Sequence, residues 1–208
     1  MKRHGSFRVH TVALLFSFAL STLSAAQVAV PLPASSELKG NDWQKRREAF
    51  GKLIGAADYA EKGVTYIAPL LKQTLASSDA ETRNARKSGL IVLLETENRV
   101  VATESTLTDE YLNYYGDVIA AVSNLNEPRA LNALVGAITT GGMAMRALIS
   151  LGAPAVDAVI VLLENPQSRI RISATRVLSQ MLESSKDISE NPALREKIAK
   201  GLQKGRHG

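Results

Sequence analysis

The segment DAVIVLLENPQSRIRISATRVLSQML, residues 157–182, contains two apolar runs on either side of a short polar break at residues 165–168. Within these runs apolar residues recur every three or four positions, the period of one face of an α-helix. Similar runs occur along the rest of the chain, and no segment shows the apolar–polar alternation of a half-buried strand. The chain is therefore predicted to be all-α.

Parts of this segment recur at constant offsets. Moving residues 153–163 back by 25 positions aligns Val159 with Leu134 and Leu163 with Ile138. Moving residues 156–182 back by 88 positions aligns a whole helix–turn–helix unit with residues 68–94, including Arg171 with Arg83. Helix pairs that recur in this way are typical of solenoids. We therefore expect a short α-solenoid of antiparallel helix pairs, an armadillo-type superhelix.

The run at 156–163 has almost no polar face. A helix that is apolar all round must be covered on several sides, as it is when each repeat packs against two neighbours. This pattern also favours a stack of repeats over a single hairpin at the edge of a bundle.

The stretch LGAPAVDAVIVLLENPQSRIRISATRVL resembles the HEAT-like repeats first associated with phycobilisome lyases. The residues that carry the resemblance are Gly152, Pro154, Val159, Leu163, Arg171, Ala174 and Leu178. It covers residues 128–184 well and 63–95 more loosely, while residues 97–126 depart from the pattern. The resemblance implies a protein-interaction or scaffold module. Some HEAT-like families are enzymes, including chromophore lyases and a DNA glycosylase.

Residues 1–26 have the order of a secretory signal peptide. A basic start is followed by an uncharged, mostly apolar run at 11–23, and small residues at 24–26 precede Gln27. The alternative is a membrane anchor, because no acidic or basic residue apart from His10 occurs between Arg8 and Glu37. The apolar run is shorter than the roughly 20 residues that span a bilayer. We expect cleavage, export to the periplasm or the medium, and no membrane span in the mature protein.

The remaining chain divides into three parts. Residues 27–41 are rich in Pro, Ser and Ala and are predicted to be a flexible linker, 42–203 to be the HEAT-like domain, and 204–208 to be a disordered tail. Asn41 with Gln44, and Ser78 with Glu81, have the spacing of helix-capping pairs. Gly141-Gly142 is predicted to end a helix.

Charge counts against nucleic acid as a partner. The chain has 25 basic and 20 acidic residues, a net charge of +5. Three basic residues and no acidic ones lie before Gln27, so the expected mature chain has 22 minus 20, or +2. Broad nucleic-acid binding requires a larger basic surface.

Several kinds of catalytic site are also disfavoured. The chain has no cysteine and three histidines, at positions 4, 10 and 207, all outside the predicted domain. This removes the commonest general base, the Ser–His and Cys–His pairs and most zinc sites. We expect no catalytic residue, metal or cofactor. The alternative is a helical enzyme or ligand-binding domain that uses carboxylates.

Two carboxylate pairs are candidates for that alternative. Asp109 and Glu110 are more simply explained as acids that favour the first turn of a helix. Glu95 and Glu97 are predicted to be solvated at a helix end.

The arginines of residues 168–184 divide into two classes. Arg171, like Arg83, lies near the edge of the core stripe, and each is expected to bond a carbonyl or an acid of the preceding turn, such as Asp79 for Arg83. The other class lies on the opposite side of the helix. The candidate partner-binding residues are Arg169, Ile172, Arg176 and Gln180, together with Tyr114 on the non-core side of its own helix. A merely solvated face is the alternative.

Overall fold

The computed structural model describes residues 31–140 and 142–205. These ranges contain twelve α-helices and no strand, so the all-α prediction is confirmed for them. The helices are α1 (Ser35–Lys39), α2 (Trp43–Ile54), α3 (Tyr59–Lys62), α4 (Ile67–Ser77), α5 (Ala80–Thr103), α6 (Asp109–Ser123), α7 (Leu131–Gly136), α8 (Gly142–Leu151), α9 (Ala153–Val161), α10 (Ser168–Ser184), α11 (Lys186–Ser189) and α12 (Pro192–Lys204). The predicted signal peptide lies outside the described residues.

The longer helices contact one another in two series. In the first series, α2, α5, α7, α9 and α12 each pack against the next member. In the second series, α4, α6, α8 and α10 do the same. The series are joined by contacts within the pairs α5–α6, α7–α8 and α9–α10. One continuous set of buried apolar residues extends from Leu38 in α1 to Ile198 in α12.

Side chains cap the starts of α2, α5, α6 and α12, although two of these caps differ by one residue from the prediction. Asp42, not Asn41, accepts the backbone N–H of Gln44 at 3.0 Å, and Asp79, not Ser78, accepts that of Thr82 at 2.8 Å. In both places two adjacent residues have capping side chains, and periodicity alone does not decide which of them takes the cap. The predicted start of α12 is confirmed, because Asn191 accepts the N–H of Leu194 at 3.2 Å.

The predicted linker is partly folded. Residues 35–39 form α1, whose Leu38 is only 5% exposed and packs against the core. Gly89 of α5 lies beside it, and a Cβ atom added there would approach a methyl group of Leu53 to 2.8 Å. The prediction of a flexible linker is therefore wrong for α1, because Leu38 packs in the core and Glu37 forms an ion pair with Lys52 of α2 at 2.9 Å.

Two further boundaries differ from the prediction. The helix that Gly141-Gly142 was expected to end stops at Gly136, and Gly142 begins α8. Asn98 fixes this earlier end, since its side-chain amide donates to the carbonyl of Ala133 at 2.8 Å. The predicted tail is helical as far as Lys204, and residues 206–208 lie outside the described ranges.

The all-apolar run at 156–163 is covered on most but not all sides. Val156, Val159 and Leu163 are buried, as expected for a helix covered on several sides, whereas Val161 is 72% exposed. Helix α9 contacts α7, α8, α10 and α12, and Val161 lies on its remaining open side.

In the part of the chain that is described, no helix is both long enough and apolar enough to cross a bilayer.

Candidate functional site

The core side of α10 is the side predicted from the sequence. Ala174, Leu178 and Met181 are all 0% exposed. Helix α10 packs this stripe against α8, α9 and α12, which fixes the rotation of the helix about its axis. The direction of every other side chain on α10 follows from that rotation.

The opposite side of α10 is exposed, as predicted. Arg169, Arg176 and Gln180 are exposed, and Ile172 is 60% exposed. Among the described residues neither Arg169 nor Arg176 forms an ion pair with a carboxylate. A shallow groove runs beside this face, lined by Ser168, Arg171, Ile172, Thr175, Arg176 and Gly205. The exposure of the four predicted residues is thus confirmed, and their role in binding remains a prediction.

Arg171 and Arg83 donate to backbone carbonyls of the segments just before their helices. Arg171 Nη1 donates to the carbonyl oxygens of Asn165 and Pro166 at 2.9 and 3.0 Å. Arg83 donates through Nε to Leu75 and through Nη2 to Ser78, both at 2.8 Å. The predicted structural role is confirmed, with carbonyls as the acceptors. Asp79 does not pair with Arg83, because its carboxylate caps α5.

Tyr114 is not a surface residue. Its side chain is 1% exposed, and its hydroxyl donates to Glu97 Oε1 at 2.8 Å. The prediction placed the core of α6 along one stripe, but α6 contacts α4, α5 and α8 and therefore buries a wider arc. Tyr114 falls within that arc, and the prediction that it binds a partner is wrong.

Glu97 is the most unexpected residue of the structure. The predicted helix end near Glu95 does not occur, because α5 continues to Thr103. Glu95 is exposed as predicted, whereas Glu97 is 0% exposed, so the prediction that it is solvated is wrong. Its carboxylate accepts from Arg46 Nε at 2.6 Å and Nη2 at 2.9 Å, and the hydroxyl of Tyr111 donates to it at 2.6 Å.

These four residues, Arg46, Glu97, Tyr111 and Tyr114, form a buried cluster that links α2, α5 and α6. Burial raises the pKa of both phenols, and the Glu97 carboxylate adds to that effect, so the hydroxyls stay protonated and act as donors. Burial by itself lowers the pKa of Arg46, but its bonds to Glu97 outweigh this and leave the pKa raised. Trp43 covers the cluster, its ring centroid 5.7 Å from that of Tyr111.

The chemistry of the buried cluster is that of a structural cross-link. Four donated hydrogen bonds occupy the Glu97 carboxylate, and the remaining guanidinium nitrogen of Arg46 donates to the carbonyl of Gly40 at 2.6 Å. A general base or metal ligand needs an oxygen lone pair directed at a substrate or ion. The sequence does contain a signal for the cluster: Glu97 lies three and four residues after Leu94 and Leu93, on the buried stripe of α5.

A second polar group lies beside the first and includes Asp117, in the middle of α6. The Tyr59 hydroxyl donates to Asp117 Oδ2 at 2.6 Å, and burial raises the pKa of Asp117. Arg47 lies 5.7 Å from the centroid of the Tyr59 ring and forms an ion pair with Glu110. Asp109 and Glu110 occupy the first turn of α6, as predicted, where acids favour the helix dipole.

Comparison with known proteins adds no family to these observations. No protein-family profile matches the chain, and no curated protein sequence or solved structure is significantly similar to it. The described residues also contain no group of three or more His, Asp or Glu side chains arranged to hold a metal ion. The function is therefore inferred from the contacts and surfaces described above.

Proposed function

We propose that this chain is an exported, HEAT-like α-solenoid that acts as a protein-interaction or scaffold module and has no catalysis of its own. The order of helix contacts supports the solenoid. In an α-solenoid each repeat contacts only its neighbours, so first helices pack on first helices and second helices on second helices. The two series of contacts, α2 to α12 and α4 to α10, have this order.

Burial at repeated positions supports the same proposal. Leu134 and Val159, which are 25 residues apart, are both buried, and so are Ile138 and Leu163. The 88-residue offset has a different meaning. It aligns α4, of the second series, with α9, of the first. The turn in which an arginine bonds preceding carbonyls therefore occurs between two repeats at Arg83 and within one repeat at Arg171. The offset of 88 residues is thus not a whole number of repeats.

The observation that carries the proposed interaction is the exposed face of α10. It combines a 60% exposed isoleucine with two arginines that have no acidic partner among the described residues. Arginine and apolar side chains without partners are typical of binding surfaces. The alternative of a carboxylate enzyme has less support, because Glu97 is fully bonded and Glu110 is paired with Arg47.

Export rests on the signal-peptide pattern of residues 1–26. The test is N-terminal sequencing of the protein recovered from the cell envelope or the medium. A mature chain that begins near Gln27 is the expected result. An intact Met1 on envelope protein would favour the membrane anchor and contradict cleavage.

The interaction is tested by site-specific photo-crosslinking in the producing cells. A photoreactive amino acid replaces Ile172 in one variant and Val161 in a matched control, since both are exposed branched aliphatic residues on different helix series. We expect a discrete cross-linked protein from position 172 and none from position 161. Equal labelling at both positions, or none at either, would show that the α10 face is only solvated.

A further inference from the structure

Three large apolar side chains are exposed on successive helices of the second series. Leu112 of α6 is 43% exposed, Met143 of α8 is 36% exposed and Ile172 of α10 is 60% exposed. Each lies within the first five residues of its helix. Scattered exposed apolar residues are ordinary on protein surfaces, but these three all lie near the N-terminal ends of neighbouring helices, as the fourth, second and fifth residues respectively.

These residues lie along one edge of the second series. The two helices of each pair are consecutive, in contact and separated by only a few residues, so the chain reverses direction from one to the next. The helices of the second series therefore run in the same direction, with their N-terminal ends at one edge. At 100° per residue, Leu112 lies roughly 100° from the centre of the buried arc of α6. Met143 lies roughly 120° from the centre of the buried arc of α8, in the opposite rotational sense. The two side chains thus border the groove between α6 and α8.

Positive charge is concentrated on α8 and α10, whereas the first turn of α6 contains Asp109 and Glu110. Helices α8 and α10 together carry four arginines and one acid, Glu183. Arg146, Arg169 and Arg176 are exposed and have no carboxylate partner among the described residues.

Helix α12 of the first series differs in its charge pairing. On α12 the lysines at 197, 200 and 204 pair with Asp157, Glu196 and Glu164 respectively. Charge on α12 is therefore largely compensated within the chain, whereas charge on α8 and α10 is not.

We infer that the N-terminal halves of α8 and α10, with Leu112 of α6 beside them, bind an acidic segment of a partner protein in which apolar side chains alternate with carboxylates. The inference rests on the proposed interaction function and specifies the chemistry of the partner. Arginine binds carboxylates in a bidentate manner, and Leu112, Met143 and Ile172 supply apolar contacts that a polyanion without apolar groups does not use. Charge complementarity selects an acidic rather than a basic segment.

The test uses three labelled 16-residue peptides and measures binding to the purified protein by fluorescence anisotropy. The first peptide contains leucines and glutamates, the second replaces every glutamate by lysine, and the third replaces every leucine by serine. We expect the first peptide to bind at least about tenfold more tightly than either of the others, with affinity that falls as salt rises. Equal binding of all three peptides would overturn the inference.

Two pairs of variants locate the binding surface. Arg176→Glu should weaken binding of the first peptide about tenfold, whereas Arg195→Glu, on α12, should leave it unchanged. Ile172→Ser should weaken it by a similar factor, and Val161→Ser should not. Circular dichroism spectra of all four proteins show whether each variant is folded. Equal effects of Arg176→Glu and Arg195→Glu would place the peptide elsewhere and contradict the inference.

The outcome is separable from that of the proposed function. If position 172 cross-links to a protein but no acidic peptide binds, the interaction function stands and the acidic partner is wrong. If vesicles of anionic phospholipid bind with the same dependence on Arg176 and Ile172 while the peptides do not bind, the edge recognises a lipid surface and the inference fails. If neither cross-linking nor peptide binding is observed, both proposals fail.

Discussion

The two halves of the domain fill their interiors with different side chains. In residues 43–123 the interior contains the Arg46–Glu97 ion pair, buried Arg86 and Thr96, and a group of aromatic rings. In residues 128–205 the buried side chains are Ala, Val, Leu, Ile and Met, with Ser185 as the one buried polar residue of that described part. Every aromatic residue of the chain lies before Gly116.

The difference shows two ways of fixing the position of one helix against the next. In the C-terminal half, small residues allow neighbouring helices to pack closely, and the spacing of these residues sets how far one helix is shifted along the next. Three of the four residues of the buried cluster, Glu97, Tyr111 and Tyr114, lie in the segment 97–126, which does not match the predicted repeat pattern. A buried ion pair adds little net stability, but its partners must be positioned accurately. We therefore expect the buried cluster to set the position of α5 relative to α2 and α6.

The largest effect is expected from Leu178→Asp in the apolar half. Leu178 is 0% exposed, so the substitution places an unpaired charge among apolar side chains. The cost is several kcal/mol, comparable with the roughly 5–15 kcal/mol stability of a typical domain. Thermal unfolding followed by circular dichroism should show loss of most cooperative structure. Val161→Asp is the control and should unfold like the unmodified protein. Similar unfolding curves for both variants would show that the interior of this half tolerates charge.

Glu97→Ala is the corresponding test in the polar half. It leaves Arg46 buried without its acid and should cost about 3–5 kcal/mol in the free energy of unfolding. Glu95→Ala, at an exposed position of the same helix, is the matched control and should change stability little. The double variant Arg46→Met/Glu97→Leu should lose less than Glu97→Ala alone. A double variant that is less stable than Glu97→Ala would show that the unpaired Arg46 is not the cause of the loss in Glu97→Ala.

Tyr114→Phe tests the role of the phenols in the buried cluster. At neutral pH it removes a hydrogen bond to a charged group, which costs about 1.5–3 kcal/mol. The pKa of Tyr114 is raised in the folded protein, so the unfolded chain loses this proton first as pH rises above about 10. The stability contribution is complete below that pH and falls by about 1.4 kcal/mol per pH unit above it.

Urea unfolding between pH 9 and 12 measures this contribution. The unmodified protein should lose stability more steeply with pH than Tyr114→Phe. Tyr66→Phe is the control, because Tyr66 is 72% exposed and should leave the slope unchanged. If Tyr114→Phe and the unmodified protein lost stability equally steeply with pH, the Tyr114 hydroxyl would ionise as readily in the folded protein as in the unfolded chain.

Arg171→Ala tests a polar contact at the surface of the C-terminal half, the bonds from Arg171 to the carbonyls of Asn165 and Pro166. Two carbonyl oxygens lose their donor, and because the side chain is only partly buried we expect a loss of about 1 kcal/mol. Arg169→Ala, two residues away on the exposed side, should have no measurable effect. Denaturant titration of both variants decides the matter, and equal losses would mean that the carbonyl contacts do not stabilise the turn.

The smallest effect on stability is expected from Arg176→Ala. The side chain is exposed and has no acidic partner among the described residues, so stability should change by no more than roughly 0.5 kcal/mol. Binding of the acidic peptide should nevertheless weaken. If Arg176→Ala lost more stability than Arg171→Ala, Arg176 would belong to the interior, and the proposed binding face of α10 would be wrong.

The amino-acid sequence alone was sufficient to predict much of α10. Its apolar spacing identified Ala174, Leu178 and Met181 as core, and the same rotation placed Arg176 and Ile172 outside. The turn contacts of Arg171 were also predictable, because they join residues only five and six positions apart. Local spacing determines such features, since neighbouring residues of one helix hold fixed relative directions.

Only the tertiary structure decided the positions of Glu97 and Tyr114. A polar side chain is buried when partners supply its hydrogen bonds, and Arg46, the main partner of Glu97, lies 51 residues away in the sequence. Tyr114 is buried because α6 contacts neighbouring helices on several sides. The spacing of apolar residues in α6 indicates the direction of only one of these neighbours. The free energy of burying a charge depends on those distant donors, which helical periodicity does not specify.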